Sequence, residues 1–311
     1  MTWPSSKFLL VEPMMRRFFV LFIVTLLTGC TSKRAELGTA ENPIKFFFVP
    51  SVDMKILEDT SKAAQKYLEA NTPYKFKISI PPSFIAVVEA FGTQRADVAS
   101  INTYGYVLAH EKYGVQARLV TERFGQATYQ AQFLARADSK IKRLEDFNGK
   151  KMAFVDPASV SGYLLPMKSL RERNVKLKET VFAMRHDNVV SMIYQRQVDG
   201  GATFFSPSEQ NEPQDARRLV MTQYPDVFEK IKIVELSSAI PNDPIVFRKD
   251  LPEEMKQTIA KALTAFAKTP EGLDVLKKLS SVTGLVPCTD KDYDETRAAV
   301  KALANVNETP K

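Results

Sequence analysis

Cysteine and histidine are nearly absent. Two of each in 311 residues leave no cluster at metal-ligand spacing, and the two thiols, Cys30 and Cys288, allow at most one disulfide. The twelve glycines build no phosphate-cradling loop. Internal repeats and low-complexity tracts are missing, which excludes solenoid architectures. Lys and Arg outnumber Asp and Glu by 43 to 36, but they are scattered and form no stripe of the kind a nucleic-acid surface needs. Nucleic acid is therefore set aside as a partner. A membrane-spanning helix takes about 20 apolar residues, and the longest apolar stretch, residues 18–27 with one Thr, is about half that length.

That short stretch is informative because of its flanks. Arg16-Arg17 precedes it and Leu27-Thr28-Gly29-Cys30 follows, the order of an export signal ending in a lipidation site. Residues 1–29 are expected to be removed, with Met14 or Met15 as a plausible true start. Cys30 then becomes the first residue of the mature chain and carries its lipid. The mature chain keeps 40 basic and 35 acidic residues, a mild positive balance that favours anionic ligands or surfaces. Residues 30–42 are polar and aperiodic and are expected to be a flexible tether. The rest is held outside the cytoplasm by lipid alone, and Cys288 is expected to be an inert, buried thiol.

About 280 mature residues can bury one sizeable core or two smaller ones. Strand and helix patterns alternate: strands over 44–49, 76–80 and 98–101, with helices over 54–70 and 84–91 between them. The pattern restarts after Ala135, with strands over 151–155, 180–184 and 201–205 and helices over 161–173 and 188–197. A strand over 245–248 and three helices, over 252–268, 270–280 and 293–305, close the chain. Two α/β lobes are expected, the first from residues 43–135 and 244–311 and the second from 136–243. In open α/β sheets ligands sit beyond the carboxyl ends of strands, which places a site between the lobes.

Chemistry concentrates in Asp156-Pro157-Ala158-Ser159-Val160-Ser161-Gly162-Tyr163, where a strand ends and a helix starts. A helix N-terminus offers unpaired N–H donors and a partial positive charge, so an anion can be held there without a buried Lys or Arg. Ser159 and Ser161 are candidate direct ligands. The alternative is that one serine only caps the helix.

Several stretches together resemble the phosphate, phosphite and phosphonate ABC-transporter binding-protein family. They are Phe47-Phe48-Val49-Pro50-Ser51, Phe84-Ile85-Ala86-Val87-Val88-Glu89-Ala90, Ala96-Asp97-Val98-Ala99 and Tyr104-Gly105-Tyr106-Val107-Leu108-Ala109 in the first half. In the second half they are the Asp156 to Tyr163 run, Arg185-His186-Asp187, Val198-Asp199-Gly200-Gly201-Ala202 and Ile240-Pro241-Asn242-Asp243-Pro244. The resemblance implies a two-lobed periplasmic-binding-protein fold of type II. It also implies a small oxyanion ligand, an ABC permease and ATPase as partners, no cofactor and no catalysis. By matching position, Ser159, Ser161, Tyr106, His186 and Asp243 hold the oxyanion, with Asp243 facing a protonated P–OH, an ammonium group or water. Closure is expected about crossovers near residues 133–136 and 243–247.

Three positions depart from the family pattern. Val160 replaces the middle Thr of the Ser-Thr-Ser run, Phe84 replaces a ligand-facing Tyr, and Phe204 replaces the acid that recognises a ligand amine. The implied ligand is smaller or more apolar than an aminoalkylphosphonate. A monomeric carrier is expected; the competing reading is a sensor or scaffold lipoprotein that keeps the cleft for another small ligand. An enzyme is disfavoured because Cys288 has no recognisable partner and the histidines are two.

Overall fold

The structure, a computed structural model, describes residues 35–49, 54–209, 212–278 and 281–307. The expected export signal, the lipidation site Cys30, and Pro50 and Ser51 of the opening motif lie outside these residues. Strands and helices alternate as the hydrophobic pattern requires. The first half runs β1 (Ile44–Phe48), α1 (Met54–Asn71), β2 (Phe76–Ser79), α2 (Phe84–Gly92), β3 (Val98–Ser100), α3 (Thr103–Tyr113), β4 (Gln116–Arg123) and β5 (Thr128–Arg136). After β6 (Lys151–Phe154), a π-helical turn (Val160–Leu164) runs directly into α4 (Leu165–Glu172). Next come β7 (Glu179–Phe182), α5 (His186–Tyr194), β8 (Gly200–Phe205), β9 (Ile231–Pro241) and β10 (Pro244–Phe247). The chain ends with α6 (Glu253–Phe266), α7 (Pro270–Lys278), β11 (Val282–Pro287) and α8 (Asp294–Asn307).

Two mixed sheets organise these elements. The first has the order β11-β4-β10-β3-β1-β2 and the second β7-β6-β8-β5-β9. Successive side chains of a strand point to opposite faces, and both sheets are covered on both faces. Ile44, Phe46 and Phe48 of β1 pack with Leu57, Leu68, Ile259 and Phe266 on one side. On the other side Ala99 and Val246 pack with Val87, Phe91, Val107 and Tyr293. In the second sheet Ala153 and Leu134 face Val189, Val190 and Ile193, while Met152, Phe154 and Phe133 face Phe147 and Leu170.

Strand pairing changes sheets in two places, residues 124–127 between β4 and β5 and residues 242–243 between β9 and β10. The expected boundary at residue 135 and hinge at 133–136 fall elsewhere, inside β5, which pairs with β8 and β9 along its length. Asn242 ties the two connections together: its side-chain amide donates to the carbonyls of Thr121 (3.0 Å) and Gln126 (2.9 Å). Helix α8, assigned to the first lobe from sequence, packs against α3 and also against α4 and the π-helical turn. The expected tether is shorter than 30–42, because residues 37–42 fold. The Gly38 N–H donates to Asn42 O at 2.8 Å, Lys75 N–H donates to Gly38 O at 2.7 Å, and Leu37 packs on the first core.

Candidate functional site

A cavity of about 470 Å³ opens where the two connections meet the ends of the sheets. Ser159, Val160, Ser161, His186, Phe204 and Asp243 line it, as do Asn102, Thr103, Tyr104, Arg123, Tyr129 and Arg218.

The turn after Pro157 is built to leave donors exposed. Asp156 starts it, accepting from Ala158 N–H (2.8 Å) with its side chain and from Ser159 N–H (2.9 Å) with its carbonyl. Ser159 is then the cap: its hydroxyl oxygen accepts from Gly162 N–H at 3.0 Å. Its carbonyl accepts from both Tyr163 and Leu164, the latter at 2.9 Å in a π-type bond. Single π-helical turns are rare and concentrate at functional sites. The Val160 and Ser161 N–H groups find no main-chain acceptor among the described residues. Capping uses a lone pair of Ser159 and leaves its O–H proton to donate, so the capping and ligand readings are compatible. Ser161 is buried, and its hydroxyl lies beside the Tyr129 phenol, whose pKa burial raises. The Val160 side chain is buried in an apolar cluster with Leu164 and Ala299 of α8. A Thr hydroxyl there would enter that cluster, while the main-chain donor is unaffected by the exchange.

A second helix start, that of α3, faces the same cavity, but it already holds a carboxylate. Asp243 Oδ1 accepts from Thr103 N–H (3.2 Å) and hydroxyl (3.4 Å), and Oδ2 accepts from Arg123 Nη2 at 2.8 Å. Asp243 therefore lines the cavity as half of an ion pair with Arg123, where the sequence reading has it facing a protonated P–OH, an ammonium group or water. The Val160 and Ser161 N–H groups, by contrast, hold no carboxylate among the described residues.

His186 is the first residue of α5, and its ring lies edge-on to Phe204 at 4.9 Å between centroids. Burial lowers its pKa to about 4, only partly opposed by Asp187. The imidazole is neutral at pH 7, and its buried Nδ1 has no hydrogen-bond partner. Arg218 Nε is likewise buried and unpartnered.

Two expected residues are not in the cavity. Tyr106 is fully buried in the first lobe, its hydroxyl donating to Asp290 Oδ1 at 2.5 Å and its ring against Tyr293. Residues two apart on a helix point to opposite sides, and Tyr104 is the one that faces the cavity. Phe84 stands behind Tyr104 in an edge-on contact at 5.9 Å and does not line the cavity. Arg123 and Tyr129, missed from sequence, flank the first connection; recognising β4 and β5 as strands would have placed them at strand ends beside the cleft. Arg218 carries no such signal. Cys288 is half-buried with its thiol pKa pushed up to about 12 by burial, in keeping with an inert thiol.

Comparison with known proteins bears on the whole of this arrangement. The chain is 27% identical to the phosphate-import protein PhnD of Mycolicibacterium smegmatis, covering 88% of this chain and 91% of that protein. It is 26% identical to the phosphonates-binding periplasmic protein of Escherichia coli, over 89% and 84% of the two chains. Its fold matches the crystal structure of a binding-protein component of an ABC phosphonate transporter from Pseudomonas aeruginosa, with a TM-score of 0.61, 21% identity and coverage of 86% and 90%. Residues 46–293 match the family described as the periplasmic substrate-binding protein of phosphonate ABC transporters. The chain therefore belongs to this family of extracytoplasmic, two-lobed substrate-binding proteins, a transport component and not an enzyme.

Proposed function

We propose that this protein captures a small phosphorus oxyanion, of the phosphonate or phosphite kind, in the cavity and presents it to its permease while anchored to the membrane through lipidated Cys30. The observation that carries the reading is the uncompensated helix start at Val160: two free main-chain N–H groups and two serine hydroxyls converge on one cavity. Tetrahedral oxyanions need several donors arranged around them, and a helix N-terminus supplies these together with favourable charge. His186 also lines the cavity, its imidazole neutral. Arg123 lines it as well, its charge balanced by Asp243.

The Asp243–Arg123 pair also bears on selectivity. With both oxygens of Asp243 engaged, and Phe204 in the cavity wall, no unpaired carboxylate is offered to a ligand ammonium among the described residues. Methylphosphonate and phosphite fit this wall better than an aminoalkylphosphonate.

Calorimetry on the mature chain tests the reading. A charge-assisted hydrogen bond contributes roughly 1.5 to 3 kcal/mol, so Ser161→Ala should weaken methylphosphonate binding by about tenfold or more. Unchanged affinity would remove the cradle assignment, and no heat with methylphosphonate, phosphite or phosphate would remove the ligand class.

A further inference from the structure

Arg218 is the cavity residue that the oxyanion cradle does not explain. It lies in a 3-10 turn (Ala216–Val220) packed against α5 and β8. Its neighbour Arg217 is fully engaged, forked onto Asp215 at 2.8 and 3.0 Å, donating to Ile231 O at 2.9 Å and stacked over Phe228. Arg218, by contrast, forms no ion pair among the described residues, and its Nε is buried with no acceptor. Burying a guanidinium donor unpaired is costly. Among the described residues the one carboxylate lining the cavity, Asp243, is taken by Arg123 and by the start of α3.

Resting on the reading above, we propose that Arg218 is the second anion subsite of this cavity and that the ligand is two-ended. A phosphonate head sits at Ser159–Ser161, and a carboxylate on a short alkyl arm reaches Arg218. Three observations carry this. Arg218 lines the cavity with its Nε buried, which leaves its two Nη groups to meet the two oxygens of a carboxylate. Phe204 and His186, in edge-on contact, also line the cavity and offer ring surface suited to methylene groups. The cavity, at about 470 Å³, has room for roughly fifteen waters at ~30 Å³ each, whereas methylphosphonate has five non-hydrogen atoms and fills a small part of it.

The test compares methylphosphonate with 3-phosphonopropionate by calorimetry on the mature chain and its Arg218→Met variant, with melting curves confirming that the variant folds. The expected result is that 3-phosphonopropionate binds the wild type about tenfold or more tighter than methylphosphonate. Arg218→Met should abolish that advantage, weakening 3-phosphonopropionate by about tenfold more than methylphosphonate. Equal affinity of the two ligands for the wild type would overturn the two-ended ligand. So would an Arg218→Met variant that weakens both alike, which would place Arg218 on the phosphonate head. The underlying oxyanion reading fails separately, when methylphosphonate does not bind or Ser161→Ala leaves its affinity unchanged. A variant that does not fold is replaced by Arg218→Lys, which keeps the charge but loses the fork and should lose most of the advantage.

Discussion

His186 shows how one side chain is set by its surroundings. Folding removes the imidazole from water and depresses its pKa to about 4, against about 6.5 in an unfolded chain. Between these values the unfolded chain takes up a proton that the folded chain refuses. The contribution to stability is therefore complete above about pH 6.5 and is lost as pH falls toward 4. Urea unfolding from pH 7 to pH 4 should show a steeper loss for wild type than for His186→Gln; parallel profiles would mean that the imidazole is not held neutral. His186 was singled out only by the family resemblance of Arg185-His186-Asp187, and it lines the cavity. Tyr106 was misplaced for a local reason. A motif fixes position along a helix only to within a residue or two, and a shift of two residues turns a side chain from the cleft into the core, where Tyr106 bonds Asp290.

At the scale of elements, the π-helical turn over Val160–Leu164 decides the site. Gly162 makes it possible: a Cβ there would come within 2.5 Å of Val155 Cγ2 and 2.7 Å of Ser159 Oγ. Gly162→Ala must push the turn away from β6 or displace the capping hydroxyl, and overpacking of this kind costs roughly 1–3 kcal/mol. The expected outcome is a lower melting temperature together with weaker methylphosphonate binding; loss of stability with unchanged affinity would separate the turn from the ligand. The sequence showed a helix start here, expected over 161–173, but not its π-helical first turn. It did not carry β4, β5 or β9. In β5 five consecutive residues, Ala131 to Ala135, are buried, because the strand lies inside a sheet covered on both faces and so lacks the alternation that marks a half-exposed strand. Arg123 and Tyr129 were lost to view with those strands.

Across the whole molecule, both connections between the sheets meet beside the cavity, joined by Asn242. Helix α8 touches elements of both lobes, so any closure has to slide or carry that helix as well as bend residues 124–127 and 242–243. The two-lobed architecture was legible from the alternation of periods, and the second crossover, expected at 243–247, adjoins the observed residues 242–243, whereas the first was not legible, since it depends on which strands pair. The cleft chemistry is asymmetric: the start of α3 carries Asp243 and Arg123, whereas the Val160 and Ser161 N–H groups hold no carboxylate among the described residues. A crystal structure of the mature chain grown with saturating methylphosphonate tests this most directly. The account expects phosphonate oxygens at about 3 Å from the Val160 and Ser161 nitrogens. A phosphonate bound elsewhere, with that helix start left empty, would contradict it.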